Sequence, residues 1–228
     1  MRNGISVSQA EKIISFFSDV QRRQRIAVFG AVGLAVVVFA GYLFWPTEAQ
    51  TGPAVFWIQP SGSAGGAAFL VTGRLVLTTA QVVGRQADVS LTYRDQAAVR
   101  GRVLFTDTTT DVALVEIQDL DPSLTPLPLG NSDSLVDGED VILLGYPSGM
   151  PFETRARLTR SAPEELKIAA PAHPGNSGGP VLRASDRTVV GLIGSTRELG
   201  SSKDTNMHWA VPINVIKKIC RQRQRPVD

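Results

Sequence analysis

Gly175-Asn176-Ser177-Gly178-Gly179-Pro180 is the stretch of this 228-residue chain from which the rest can be read. Acyl-transfer chemistry needs a nucleophile, a base to take its proton, a carboxylate to orient the base, and N–H donors to meet the developing oxyanion. The turn offers two of these parts. Ser177 stands as the nucleophile, and the backbone N–H groups of Gly175 and Ser177 form the candidate oxyanion hole. Glycine at 175 tolerates the backbone angles that let the two amides converge, and Gly178 and Gly179 remove side-chain bulk. Taken alone, Gly-x-Ser-Gly-Gly also reads as a glycine-rich turn without chemistry, so the surrounding chain has to decide.

Moving outward, Asp111 opens Asp111-Val112-Ala113-Leu114-Val115-Glu116-Ile117, an acidic residue at the mouth of a buried strand. In isolation a turn-capping aspartate looks the same. Further upstream lies Val76-Leu77-Thr78-Thr79-Ala80-Gln81-Val82-Val83. The order Gln81, Asp111, Ser177 repeats the chymotrypsin-like order of base, carboxylate and nucleophile, with the base replaced. Glutamine exchanges hydrogen bonds but does not titrate near neutral pH, so it cannot shuttle the proton.

These segments sit among short β-rich runs separated by Gly, Pro, Asp and Ser: Val55–Ile58, Ala67–Val71, Arg74–Thr79, Asp88–Tyr93, Val99–Thr106, Val112–Ile117, Val141–Leu144, Leu166–Ala169, Val181–Arg183, Thr188–Ile193 and Trp209–Val211. The pattern predicts an all-β sandwich or barrel. One helix closes the chain at about Ile213–Arg221, with Val215, Ile216 and Ile219 on its apolar face. Its basic tail reads as a solvated helix end that complements the helix dipole. Cys220 is the single cysteine, so no intramolecular disulfide forms, and it reads as a small apolar residue of that helix.

The first 53 residues are of another kind. Ile26 to Trp45 is an uninterrupted apolar run, at about 1.5 Å per residue long enough for a bilayer core of about 30 Å. Arg22, Arg23 and Arg25 crowd one end and Tyr42 and Trp45 the other, and the next basic residue is Arg74. The positive-inside rule then puts residues 1–25 in the cytoplasm and the main domain outside it, periplasmic or otherwise extracytoplasmic. The length of the run and the poor cleavage site at Phe44-Trp45-Pro46 argue against a removed signal peptide. The expected organisation is a cytoplasmic amphipathic segment at 1–25, a single transmembrane helix at 26–45, a linker at 46–53 and the main domain at 54–228. The net charge of +2 is too weak to argue for nucleic acid.

The main domain resembles a trypsin-like serine protease of the bacterial HtrA/Deg type. The resemblance is carried by Gly65-Gly66-Ala67-Ala68-Phe69-Leu70-Val71, by Leu75–Val83, by Leu129-Gly130-Asn131-Ser132-Asp133 with Gly138, Val141, Gly145 and Pro147, by the Ser177 turn, and by Trp209-Ala210-Val211-Pro212-Ile213. It covers roughly residues 54–220. It implies two six-stranded Greek-key β-barrels with the active site between them, and neither cofactor nor metal. The departures are as informative. Gln81 stands at the histidine position, Ala169-Ala170-Pro171-Ala172-His173 replaces the usual lead-in to the nucleophile, and Met150–Glu165 lacks the family's strand pattern; the PDZ domain common in such proteins is not expected here. Neither His173 nor His208 falls at the base position. The expectation is a membrane-anchored pseudoprotease acting as a scaffold or accessory subunit beside other protein subunits. A slow or restricted endopeptidase and a non-cleaving peptide-binding module are the alternatives.

Overall fold

The computed structural model describes residues 52–59, 65–94, 96–171, 173–194, 207–225 and 227. The chain divides into two units, Met1–Gln50 and Thr51–Asp228, and every described residue belongs to the second. The expected segments at 1–25 and 26–45, and most of the linker, lie outside the described residues. Among those described, no helix is long and apolar enough to cross a membrane.

Among the described residues, twelve antiparallel strands close into two barrels. The first comprises β1 (Val55–Gln59), β2 (Gly66–Thr72), β3 (Leu75–Thr78), β4 (Asp88–Thr92), β5 (Val99–Asp107) and β6 (Val112–Ile117), in the order β1-β2-β3-β6-β5-β4. The second comprises β7 (Asp140–Gly145), β8 (Phe152–Ala162), β9 (Glu165–Ala169), β10 (Pro180–Arg183), β11 (Val189–Ile193) and β12 (Met207–Pro212), in the order β7-β8-β9-β12-β11-β10. The two orders are identical position for position. In each, the last three strands run as a meander that folds back so that the sixth lies beside the third, a Greek-key arrangement. The two six-stranded barrels with a C-terminal helix agree with the expected fold.

Alternation along β7 shows how the barrels join. Val141 and Leu143 point into the second barrel with Leu158, Leu166 and Val190, whereas Ile142 and Leu144 face outward and pack with the core of the first. The seam is therefore the outer face of one barrel set against the other. Tyr146 crosses it: its buried hydroxyl donates to the Val55 carbonyl at 2.8 Å and accepts from the Arg94 N–H at 3.3 Å.

β8 was not expected. It is eleven residues long and only Leu158 on it is buried, while Glu153, Arg155, Arg157 and Arg160 are exposed. Thr154, Ala156 and Leu158 alternate with Glu153, Arg155 and Arg157, but only Leu158 of them is a large apolar residue, so the signal is weak, and the pairing with β7 and β9 is supplied by backbone hydrogen bonds. The C-terminal helix, Ile213–Gln222, also differs from its expected face. It buries Ile213, Ile216 and Cys220, leaving Val215 and Ile219 half-buried. Its end is tied to the first barrel rather than merely solvated: the Arg223 guanidinium lies 5.0 Å from the Phe105 ring centre and 3.4 Å from the Asp107 carboxylate.

Candidate functional site

Gln81 lies on α1 (Ala80–Val83), a single helical turn after β3. The buried Thr79 hydroxyl caps it by accepting from the Val82 N–H at 3.2 Å, and Gly84 ends it at φ +60°. This leaves the Gln81 side chain exposed and turns its backbone N–H toward the first barrel's other contribution. That N–H donates to the Asp111 carboxylate at 2.8 Å, across 30 residues of sequence. Asp111 is delivered by a tight turn in which the Asp107 carboxylate accepts from the Thr109 and Thr110 N–H groups, both at 3.1 Å. It sits at φ +56°, a left-handed conformation that aspartate tolerates better than most residues. The structure thus brings the base and carboxylate positions together, through the backbone of Gln81.

The Ser177 turn comes from the second barrel and is pinned on both sides. The Ser177 carbonyl accepts from the Ala67 N–H of β2 at 2.8 Å, the Gly178 N–H donates to the Ile193 carbonyl at 2.8 Å, and the Gly175 carbonyl accepts from the Tyr146 N–H at 3.1 Å. The Asn176 and Gly179 amides donate to the His173 and Asn176 carbonyls at 3.2 and 2.9 Å. Among the described residues, the N–H groups of Gly175 and Ser177 make no such bond. Those are the two amides expected to form the oxyanion hole, and the other three amides of the Gly175–Gly179 turn are engaged.

The glycines are required by this packing. Gly175 and Gly178 lie at φ +100° and +86°. A Cβ at 175 would collide with the Tyr146 carbonyl, one at 178 with the Ala67 carbonyl and the Thr78 hydroxyl, and one at 179 with the Leu144 carbonyl. Gly66 serves the same end from the other side, since a Cβ there would meet both Val82 of α1 and the Ser177 carbonyl. The nucleophile turn and the Gln81 turn therefore abut across Gly66. The Ser177 side chain is half-buried, and no described residue hydrogen-bonds its hydroxyl.

Neither histidine takes over the base position. His208, on β12, is buried and its Nε2 pairs with the Pro171 carbonyl at 2.9 Å. Burial holds its pKa below the ordinary histidine value, against the opposing pull of that carbonyl. Its ring supports the loop leading to Ser177 from behind. His173 is exposed on that loop. Tyr146 is the residue that sequence reasoning passed over. It orders Gly175 through its own backbone and bridges the barrels through its hydroxyl. Its neighbours Gly145 and Pro147 carried the family pattern, and an aromatic with a polar tip between them was the available signal. Among the described residues no His/Cys/Asp/Glu cluster has the arrangement of a metal site.

Residues 66–192, more than half the chain, match the family described as the trypsin-like peptidase domain. The chain is similar to a "Serine protease HtrA-like" protein of Staphylococcus aureus, 28% identical over 166 residues, covering 64% of this chain and 21% of that protein. It is equally similar to the protein of that name in Staphylococcus epidermidis, again 28% over 166 residues, covering 64% of this chain and 28% of the relative. The chain thus matches less than a third of the length of either. A solved structure described as the Rv3671c protease in an inactive form shares the fold, with a TM-score of 0.63 at 23% identity, covering 78% of this chain and 92% of that one.

Proposed function

The chain belongs to the trypsin-like peptidase family, and from that premise we propose that it is a single-pass membrane protein whose extracytoplasmic domain binds without cleaving, as a scaffold or accessory subunit of a membrane complex. The observation that carries this reading is Gln81 at the base position, its N–H on the Asp111 carboxylate at 2.8 Å. An amide there cannot take the Ser177 proton. By analogy with triad deletions the loss is on the order of 10⁶ in turnover, roughly 8 kcal/mol of transition-state stabilisation. His208 is held by Pro171 and offers no substitute. The anchor is supported by the apolar run 26–45 and its arginine flank.

The reading is tested with a generic protein substrate. The purified chain is expected to leave it intact, and Gln81→His is expected to gain cleavage because the rest of the turn is in place. Cleavage by the unaltered chain that disappears in Ser177→Ala would overturn the proposal and establish the restricted endopeptidase in its stead. The Gly175 and Ser177 amides, which no described residue engages, favour a second reading, a peptide-binding module that retains donors for a carbonyl or carboxylate oxygen. Peptides that co-purify with the chain and are lost when the turn is blocked would distinguish it from a scaffold that uses another surface.

A further inference from the structure

The barrel seam opens into a groove of about 190 Å³, bounded by Pro53, Tyr93 and Arg94 of the first barrel and Leu144, Tyr146 and Phe152 of the second. Its rim is unusual for this surface. Among the described residues three large hydrophobic side chains are exposed, Val136, Met150 and Phe152; Phe152, 55% exposed, opens β8 and lines the groove, and Met150, 68% exposed, lies two residues before it on the β7–β8 connection. Glu153, the acidic group beside them, is paired with Arg187 at 3.0 Å. Arg94, half-buried, holds its guanidinium 5.4 Å from the ring centre of the buried Tyr93, and a long cationic side chain at such an edge is of the type that settles at a lipid–water boundary.

The chain enters the domain at this same place. The Gly52 carbonyl accepts from the Tyr93 hydroxyl at 3.3 Å, and Pro53 lines the groove. The inference rests on the anchor reading of residues 26–45. Only seven residue steps separate Trp45 from Gly52, and they reach at most about 25 Å. Whatever their path, the groove is tethered within that distance of the bilayer surface. We infer that the rim formed by Met150 and Phe152, with Arg94 beside them, docks into the interfacial layer of the bilayer that holds the anchor. β8 leads away from this rim, and its far turn at Pro163-Glu164 lies about 35 Å from Phe152 along the strand.

Cys220 is fully buried, so a cysteine introduced at the surface can be labelled selectively. Phe152→Cys and Glu164→Cys, both at exposed positions, are each labelled with bimane in the full chain. The proteins are reconstituted into phosphatidylcholine–phosphatidylglycerol vesicles that carry a headgroup nitroxide lipid. Docking predicts loss of most of the emission at 152 and little loss at 164. Emission retained at both positions overturns the inference, as does equal loss at both. A label at 152 shielded from the nitroxide and from aqueous iodide alike means that protein, not lipid, covers the rim, and this too overturns it. Extraction in alkaline carbonate reads the anchor separately. A chain that stays in the vesicles without quenching at 152 refutes the docking alone, whereas one that is extracted refutes the anchor and the docking with it.

Discussion

Gly178→Ala tests whether the Ser177 turn is held by the fold or by chemistry. Alanine at φ +86° carries about 1–2 kcal/mol of backbone strain. Its Cβ would also collide with the Ala67 carbonyl and the Thr78 hydroxyl, so the turn must move. Moving it strains two hydrogen bonds, Ala67 N–H to the Ser177 carbonyl and Gly178 N–H to the Ile193 carbonyl, both 2.8 Å long. Each contributes about 1 kcal/mol, which brings the expected loss to about 3–4 kcal/mol. Gly73→Ala is the control. Gly73 lies at φ +51° with open space around its Cβ position, so it reports the backbone strain alone, about 1–2 kcal/mol. Ser177→Ala removes a hydroxyl with no described partner and should stay within about 0.5 kcal/mol of the parent. Urea unfolding followed by Trp57 and Trp209 fluorescence measures all three. Equal losses for Gly178→Ala and Gly73→Ala would refute the claim that the turn is clamped between the barrels, and a large loss for Ser177→Ala would refute the claim that its hydroxyl has no structural part.

Tyr146→Phe keeps the ring in the seam but deletes the hydroxyl that serves the Val55 carbonyl and the Arg94 N–H, so stability should fall by about 1–2 kcal/mol, read as a lower urea midpoint at unchanged slope. Asp111→Asn keeps an oxygen for the Gln81 N–H and tolerates the left-handed backbone, and is expected within about 0.5 kcal/mol of the parent. Asp111→Ala has neither advantage and should lose about 2 kcal/mol by the same unfolding assay. For His208 the sign follows from its depressed pKa. The native state resists the proton, while the unfolded chain takes it up near 6.5. The contribution is therefore complete above that pH and is lost as the pH falls toward the lower native value, and His208→Gln should flatten the stability profile measured below pH 6.5.

What could be read in the sequence divides along physical lines. The Gly175–Gly179 turn, the Asp111 strand and the Gln81 segment were legible because each depends on a few residue types at fixed spacing, and the structure places the Gln81 N–H on Asp111 and the two candidate oxyanion amides where no described residue engages them. β8 was missed because the residues alternating with Glu153, Arg155 and Arg157 include the small or polar Thr154 and Ala156, and only Leu158 is buried. The helix face was misassigned for a related reason. Val215 and Ile219 are apolar, but burial there is decided by which stripe packs against β11 and β12, and Cys220 lies on that stripe. Tyr146 was missed because its work spans 91 residues of sequence, from its hydroxyl to the Val55 carbonyl.

Within the candidate site, the residues are retained for different physical reasons. Gly175, Gly178 and Gly179 are demanded by backbone conformation and by contacts that no side chain could share. Asp111 holds the Gln81 turn in place whether or not that turn carries a base, since the bond runs to the backbone and not to the side chain. A fold that had lost its general base would keep all four for stability alone. Ser177 does not belong to that group, because its hydroxyl binds no described residue, and the same holds for the two unengaged amides beside it. Folding therefore accounts for the frame of the site but not for its reactive face. A binding role that uses the hydroxyl and the two amides as hydrogen-bonding groups gives that face a purpose compatible with Gln81, because holding a peptide oxygen requires donors and no proton shuttle.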